Sequence, residues 1–174
     1  YIENGKVVKV AFMGVPSFLF TSGTVEVEGY GSVPFDMAYG GNSYAIADAK
    51  YFNNLNLRSG HLGEIQKAAQ AFGDAARKAV DFVHPLYPFL KGISHVMFCT
   101  TPDDPKATFR NTVIFLPSSV DRSPCGTGTS ARVASLFAKG ELGLNEEFIH
   151  ESVIGTQFTA RIVEATTVGN CKGG

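Results

Sequence analysis

Through the first fifty residues apolar and polar positions alternate with period two, the spacing of half-buried strands. Val7, Val8, Val10, Phe12 and Val15 predict one strand, interrupted at Gly14 and Pro16. Thr24, Val25, Val27, Tyr30 and Val33 predict one or two more, punctuated by Gly23, Gly29 and Gly31. Residues 35–39 and 44–48 flank the turn-forming Gly40-Gly41-Asn42-Ser43, which predicts a hairpin. The period then changes. Ile65, Ala68, Ala69, Phe72, Ala76, Ala79, Val80 and Val83 recur at helical spacing, with Glu64, Lys67, Asp74, Arg77, Lys78 and Asp81 opposite them. That pattern predicts a helix over about 62–83, capped by Ser59 and ended by His84-Pro85. Strands are predicted at 95–100, 111–116, 152–154 and 158–163, and a shorter helix from Gly126 to about Lys139. The last few residues, through Gly174, read as a frayed end.

Strands, a long helix, strands, a second helix and strands define a mixed α+β class. No repeat or linker divides the chain, so residues 1–174 read as one domain. Composition narrows the function classes. Fifteen basic against sixteen acidic residues leave no excess to neutralise a phosphate backbone, which argues against charge-driven nucleic-acid binding. An apolar share of 44% with balanced charge is that of a chain with a core, not a disordered one. No apolar run approaches the ~20 residues of a membrane helix, and the opening Tyr-Ile-Glu-Asn-Gly is not a signal peptide. That opening also lacks an initiator Met, so a processed or excised piece is expected. Three cysteines make no disulfide framework and read as reduced thiols of a cytoplasmic protein. His61, His84, His95 and His150 follow no metal-ligand spacing.

Candidate chemistry concentrates in Asp121-Arg122-Ser123-Pro124-Cys125-Gly126-Thr127-Gly128-Thr129-Ser130-Ala131. A cysteine at a helix N-terminus sits at the positive end of the macrodipole, which lowers its pKa. Gly126 and Gly128 let backbone N–H groups approach an anion closely. Asp121 lies four residues before Cys125, in reach of a cation at the same place. The set suits a small zwitterion with its carboxylate on the helix, its ammonium at Asp121 and a carbon acid facing Cys125. The plainer alternatives are a tight glycine turn and a buried apolar thiol; residue chemistry leaves Cys125 evenly balanced between a functional and a structural role. Cys99 and Cys171 read as structural.

The same stretch resembles the C-terminal active-site motif of the proline racemase and 4-hydroxyproline 2-epimerase family. Val15-Pro16-Ser17-Phe18 resembles the family's Asn-Val-Pro-Ser-Phe segment. Residues 36–45 are similar to its hairpin around Tyr-Gly-Gly-Asn. His84-Pro85, His95-Val96-Met97-Phe98 and Ile154-Gly155-Thr156-Gln157-Phe158 also fit in order. Diaminopimelate epimerase shares the general architecture but is a weaker match around the cysteine. The resemblance implies a diaminopimelate-epimerase-like domain: a mostly antiparallel sheet or barrel wrapped around a central long helix, with a shorter helix after the cysteine. It implies a cofactor-independent isomerase that inverts the α-carbon of proline or 4-hydroxyproline between two thiols. On that likeness Cys125 is one acid/base and Asp121 contacts the ring nitrogen. The amides of Gly126, Thr127 and Gly128 cradle the carboxylate, and Phe115 is an aromatic wall. The plainer alternatives are a helix or turn cap for Asp121 and a core position for Phe115. Tyr39, Asn42 and Tyr44 are expected to brace the hairpin or approach the cleft, and not to catalyse.

The chain also departs from the family. Members are roughly twice as long, with two similar domains, and their other catalytic cysteine lies in a Met-Cys-Gly-His-Gly motif. This sequence has no such motif. It is therefore expected to match the second domain alone, with the first domain as a partner or a homodimer in its place. By itself it should lack the second base. Relatives that dehydrate trans-3-hydroxyproline commonly carry Thr at the position of Cys125, which disfavours that alternative. A non-catalytic imino-acid-binding domain is a further alternative, and a hydrolase nucleophile is a rival use of the thiol.

Overall fold

The alternating segments become strands only where a neighbouring edge is free to pair with them. β1 (Ile2–Glu3) and β2 (Lys6–Val7) form an isolated two-stranded hairpin. Residues 8–17 then run as irregular backbone with Val10, Phe12 and Met13 at least 77% exposed, so the predicted first strand does not form. The edge it would need belongs to the C-terminus instead. The long hairpin of β3 (Phe18–Val27) and β4 (Gly31–Tyr39) continues through Gly40 into β5 (Ser43–Asp48), as the turn residues predict.

The helical pattern produces α1 (Leu62–Ala79). Its start is the backbone of His61 after a 3-10 turn over Ser59–His61, so Ser59 makes no cap bond. Its end falls four residues before the sequence expectation. Val80 turns extended, and Phe82 leaves the helix line to reach Phe20 and Tyr39 in the core. The β-branched Val80 and the burial of Phe82 decide this before His84-Pro85 is reached.

β6 (His95–Thr100), β7 (Phe109–Phe115) and the short β8 (Ser119–Val120) lead into α2 (Gly126–Lys139), which ends at the left-handed Gly140. β9 (Phe148–Glu151) and β10 (Gln157–Ala160) follow, each shorter than or displaced from its predicted range. β11 (Thr166–Val168) and β12 (Cys171–Gly173) complete the fold. The tail is not frayed: β12 pairs with β3, and Ser17 and Gly174 exchange two backbone hydrogen bonds of 2.9 Å.

The computed structural model describes residues 1–174, and most strands form one mixed sheet in the order β10-β9-β7-β6-β5-β4-β3-β12-β11, with β8 beside β7. β10 and β11 are open edges, so the strand pairing does not close into a barrel. α1 covers one face with Ile65, Ala68, Ala69, Phe72 and Ala76, all fully buried. Burying one such Ile or Phe contributes about 1.5–3 kcal/mol. α2 covers the other face over Ala38, Tyr44, Ile46, Met97, Cys99 and Val113. The N-terminus of α2 stands at the hairpin-tip end of the sheet, where Gly40 and Gly41 meet Thr127.

Candidate active site

Residue 121 leaves the sheet still attached to it, because the Asp121 amide donates to the Val113 carbonyl at 2.9 Å. Two side-chain bonds then shape the turn. The Asp121 carboxylate accepts from the Ser123 amide at 2.8 Å, and the Ser123 hydroxyl accepts from the Cys125 amide at 3.1 Å. The Pro124 carbonyl is fixed from beneath by Asn111 Nδ2 and the Thr129 hydroxyl, each at 3.1 Å. That carbonyl only accepts, so the Thr129 proton is committed to it. His150 Nδ1, 2.9 Å from the Thr129 oxygen, must then carry its own hydrogen. Burial holds His150 neutral, with its pKa pushed down to about 3 and the nearby Arg132 charge adding to the effect.

Cys125 is the residue preceding α2, with φ 62° and ψ 114°. A non-glycine residue rarely adopts that backbone, and it costs on the order of 1–3 kcal/mol. The twist turns Sγ into the mouth of the helix, where it meets the Tyr44 hydroxyl at 3.5 Å and the Gly128 amide. A methyl on Gly128 would lie 3.1 Å from that sulfur and 2.7 Å from Met97 Cε, so only glycine lets the helix start this close to the sheet. The amides of Gly126 and Thr127 donate to no backbone carbonyl. They are free to bind an anion.

The hairpin tip supplies the flank. A methyl on Gly40 would overlap the Thr127 carbonyl and the Ala131 nitrogen, and Gly41 adopts φ 113° against the Thr127 side chain. The irregular N-terminal segment crosses in front, with the Phe12 ring beside Gly126. Beyond Tyr44 an aromatic row continues outward. His95 lies 4.9 Å from the Tyr44 ring, and Phe115, its cross-strand partner, lies 4.6 Å from His95.

Electrostatics correct one expectation. Burial pushes the Cys125 thiol above its ordinary value. Hydrogen bonds from Tyr44, the Gly128 amide and Thr127 pull it down, and the Asp121 charge pushes it up again. At 5% exposure desolvation outweighs the helix terminus, so the predicted net lowering is not found. Burial also pushes His95 down, against the pull of Asp121.

The structure thus brings Cys125, Gly126, Thr127, Gly128 and Asp121 together, with Phe115 at the outer end of the aromatic row. Phe115 is 41% exposed, so it is not a core residue. Cys99 is buried beneath α2, which pushes its thiol up to about 11, and Cys171 packs against the core on the α1 face. Tyr39 also faces α1, stacked on Phe18 and met edge-on by His84. Tyr44, expected to brace the hairpin or approach the cleft, lies at the site itself, and His95, for which the sequence offers a strand position but no chemistry, lies beside it. Their shared signal is register: the parallel pairing of β5 with β6 sets Tyr44 directly beside His95. No group of three His, Cys, Asp or Glu side chains is placed to hold a metal ion. A cleft of about 380 Å³ beneath the far end of α2, lined by Asp36, Cys99, Arg132 and Lys139 among others, does not include Cys125.

A buried thiol and two unbonded amides thus meet at the N-terminus of α2, with a carboxylate in the preceding turn. Residues 1–173 match the family model described as proline racemase, and the chain belongs to that family. A probable 4-hydroxyproline 2-epimerase of Rhizobium meliloti is 41% identical over 98% of this chain and 51% of its own length. The proline racemase of Clostridioides difficile is 39% identical over 97% of this chain and 50% of its own. The crystal structure of a hydroxyproline epimerase from Agrobacterium vitis, with bound trans-4-hydroxy-L-proline, superposes with a TM-score of 0.84 at 34% identity. It is matched over 92% of this chain and 46% of that one. The chain therefore spans about half the length of the curated relatives it matches.

Proposed function

We propose that the chain provides one wall of a cofactor-independent amino-acid racemase or epimerase site, in which Cys125 moves the α-proton of proline or 4-hydroxyproline. The observation that carries this reading is the Cys125 thiol beside the unbonded Gly126 and Thr127 amides, with Asp121 in the turn before it. The substrate carboxylate accepts from those amides, and its ring ammonium faces the Asp121 carboxylate. The Cys125 thiolate takes the α-proton and becomes a thiol. The electron pair left on carbon spreads into the carboxylate, where the amides stabilise the added charge. A second thiol protonates the opposite face of the carbon; the reverse direction exchanges the two roles. A thiol raised by burial makes a stronger base once ionised, which suits so weak a carbon acid. Phe115 borders the apolar side of the ring.

The second thiol is assigned to another domain. Cys99 and Cys171 would each have to leave a packed position to meet a substrate at Cys125. On this reading residues 1–174 correspond to the second half of a two-domain enzyme of diaminopimelate-epimerase-like architecture. The packing of the apolar face of α1 against one face of the sheet supports that reading. A partner domain, or a second copy, would close the open mouth that Phe12 and Phe115 fringe.

The test is incubation of the chain with L-proline and with trans-4-hydroxy-L-proline in deuterated water. NMR follows loss of the α-proton and polarimetry follows inversion. The expected result is α-proton exchange with retained configuration. Inversion by the pure chain would overturn the assignment of the second thiol to another domain. Absence of exchange with both substrates would overturn the role of Cys125.

A further inference from the structure

Tyr44 is fully buried, yet its hydroxyl reaches both parts of the α2 turn: Thr127 Oγ1 at 2.6 Å and Cys125 Sγ at 3.5 Å. Tyr44 has one hydroxyl hydrogen to donate and Thr127 has one, and two arrangements of them pair the Tyr44 hydroxyl with the sulfur. With a protonated sulfur, Tyr44 donates to Thr127 and the S–H is free to point at the Tyr44 oxygen. With a thiolate, Thr127 donates to Tyr44 and Tyr44 donates to sulfur. Rotation of two hydroxyl groups interconverts them. We infer that Tyr44 is a positioning residue for Cys125, donating to the sulfur in its thiolate state and turning to Thr127 when the sulfur is protonated. The sulfur then changes charge without rearrangement of the turn.

This inference rests on the reading of Cys125 as an acid/base. The phenol itself transfers no proton. Burial and the neighbouring sulfur hold it protonated, far above the ordinary tyrosine range. The titratable groups near the sulfur are Tyr44 on β5 and Asp121 in the preceding turn, with His95 on β6 behind the Tyr44 ring. The rest of the contact is apolar, from Met97 and Val113 around Gly128 and from Phe12 over Gly126. Tyr44 is thus the one side-chain donor from the sheet whose loss leaves the backbone amides in place.

The test is the pH dependence of Cys125 carbamidomethylation by iodoacetamide in the full chain, with the modified peptide resolved by mass spectrometry from those of Cys99 and Cys171. In Tyr44→Phe the midpoint should move upward by about one pH unit, slowing modification about tenfold below the midpoint, as loss of a hydrogen bond to a charged group implies. Tyr39→Phe, on the opposite sheet face, should leave the profile unchanged. 3-Fluorotyrosine placed at position 44 keeps the shape and strengthens the donor, so it should move the midpoint down and separates tuning from packing. Superimposable profiles for the Phe and fluorotyrosine variants would overturn the inference. Because alkylation reads the sulfur alone, the outcomes separate. An unshifted midpoint with intact α-proton exchange removes only the role of Tyr44. A shifted midpoint with no exchange removes the imino-acid reading and leaves the tuning in place.

Discussion

Cys125 carries two demands at one position, a thiol side chain and a backbone with φ 62°. The second demand favours glycine. Replacing Cys125 by Gly relieves the backbone while removing the sulfur; replacing it by Ala removes the sulfur and keeps the strain. The Gly variant should therefore be more stable than the Ala variant by about 1 kcal/mol, measured by urea unfolding. An Ala variant as stable as the Gly variant would show that the turn stores no strain. The place of this residue at a helix start was legible in sequence, since a thiol between Pro124 and two glycines is a narrow pattern. Its strain was not, because φ is set by the Pro124 carbonyl held between Asn111 and Thr129, residues distant in sequence or one helical turn on. The direction of its pKa was misjudged for a related reason. Helix polarity is visible in a sequence, whereas the depth at which the sulfur is buried depends on how closely the helix lies on the sheet.

At the scale of elements, the β4–β5 hairpin and α2 meet through glycine. A side chain at Gly40 has no space beside Thr127 and Ala131, so Gly40→Ala must push the hairpin tip off the first turn of α2. We expect a loss of about 1–3 kcal/mol in thermal or urea unfolding. Iodoacetamide should also reach Cys125 faster, as its 5% exposure rises. Unchanged stability with unchanged reactivity would contradict the packing described. Hairpin and α2 were both legible, because Gly-Gly-Asn-Ser turns and a glycine-led helix carry local signals. The failures lie where tertiary competition decides. Residues 7–15 alternate like a strand, but β12 already occupies the edge of β3. Val80 and Val83 continue the helical spacing of α1, yet Phe82 is needed between Phe20 and Tyr39.

Across the whole molecule, buried ionisable groups set the response to acid. His150 is held neutral in the fold, with a pKa near 3 against an unfolded value near 6.5. Between those values the unfolded chain binds the proton that the fold refuses, so stability falls as pH drops below about 6.5. The slope from this group approaches one proton, about 1.4 kcal/mol per pH unit. His84 and His95 are also pushed down by burial and add in the same direction. Asp36 and Glu151 act at lower pH. Despite burial, Ser135, Ser22 and Lys139 hold Asp36 low, and Arg110 holds Glu151 low. Their contribution is present above the ordinary carboxylate range and lost as pH falls through the lowered values. Urea unfolding from pH 7.5 to pH 4.5 should show this decline, and His150→Gln should flatten it. A slope that is the same in both proteins would contradict the burial of a neutral imidazole. This acid response was hidden in the sequence, where His150 is one of four histidines without a pattern.

The central claim is that the Cys125 sulfur moves the α-proton of an imino acid. One chain sample, carboxymethylated to graded extents, gives both quantities needed: occupancy of Cys125 by peptide mass spectrometry, and the rate of α-proton loss from L-proline or trans-4-hydroxy-L-proline in deuterated water. The account predicts that exchange falls in direct proportion to free Cys125 and vanishes at full modification. Exchange that survives a fully modified Cys125 would contradict it.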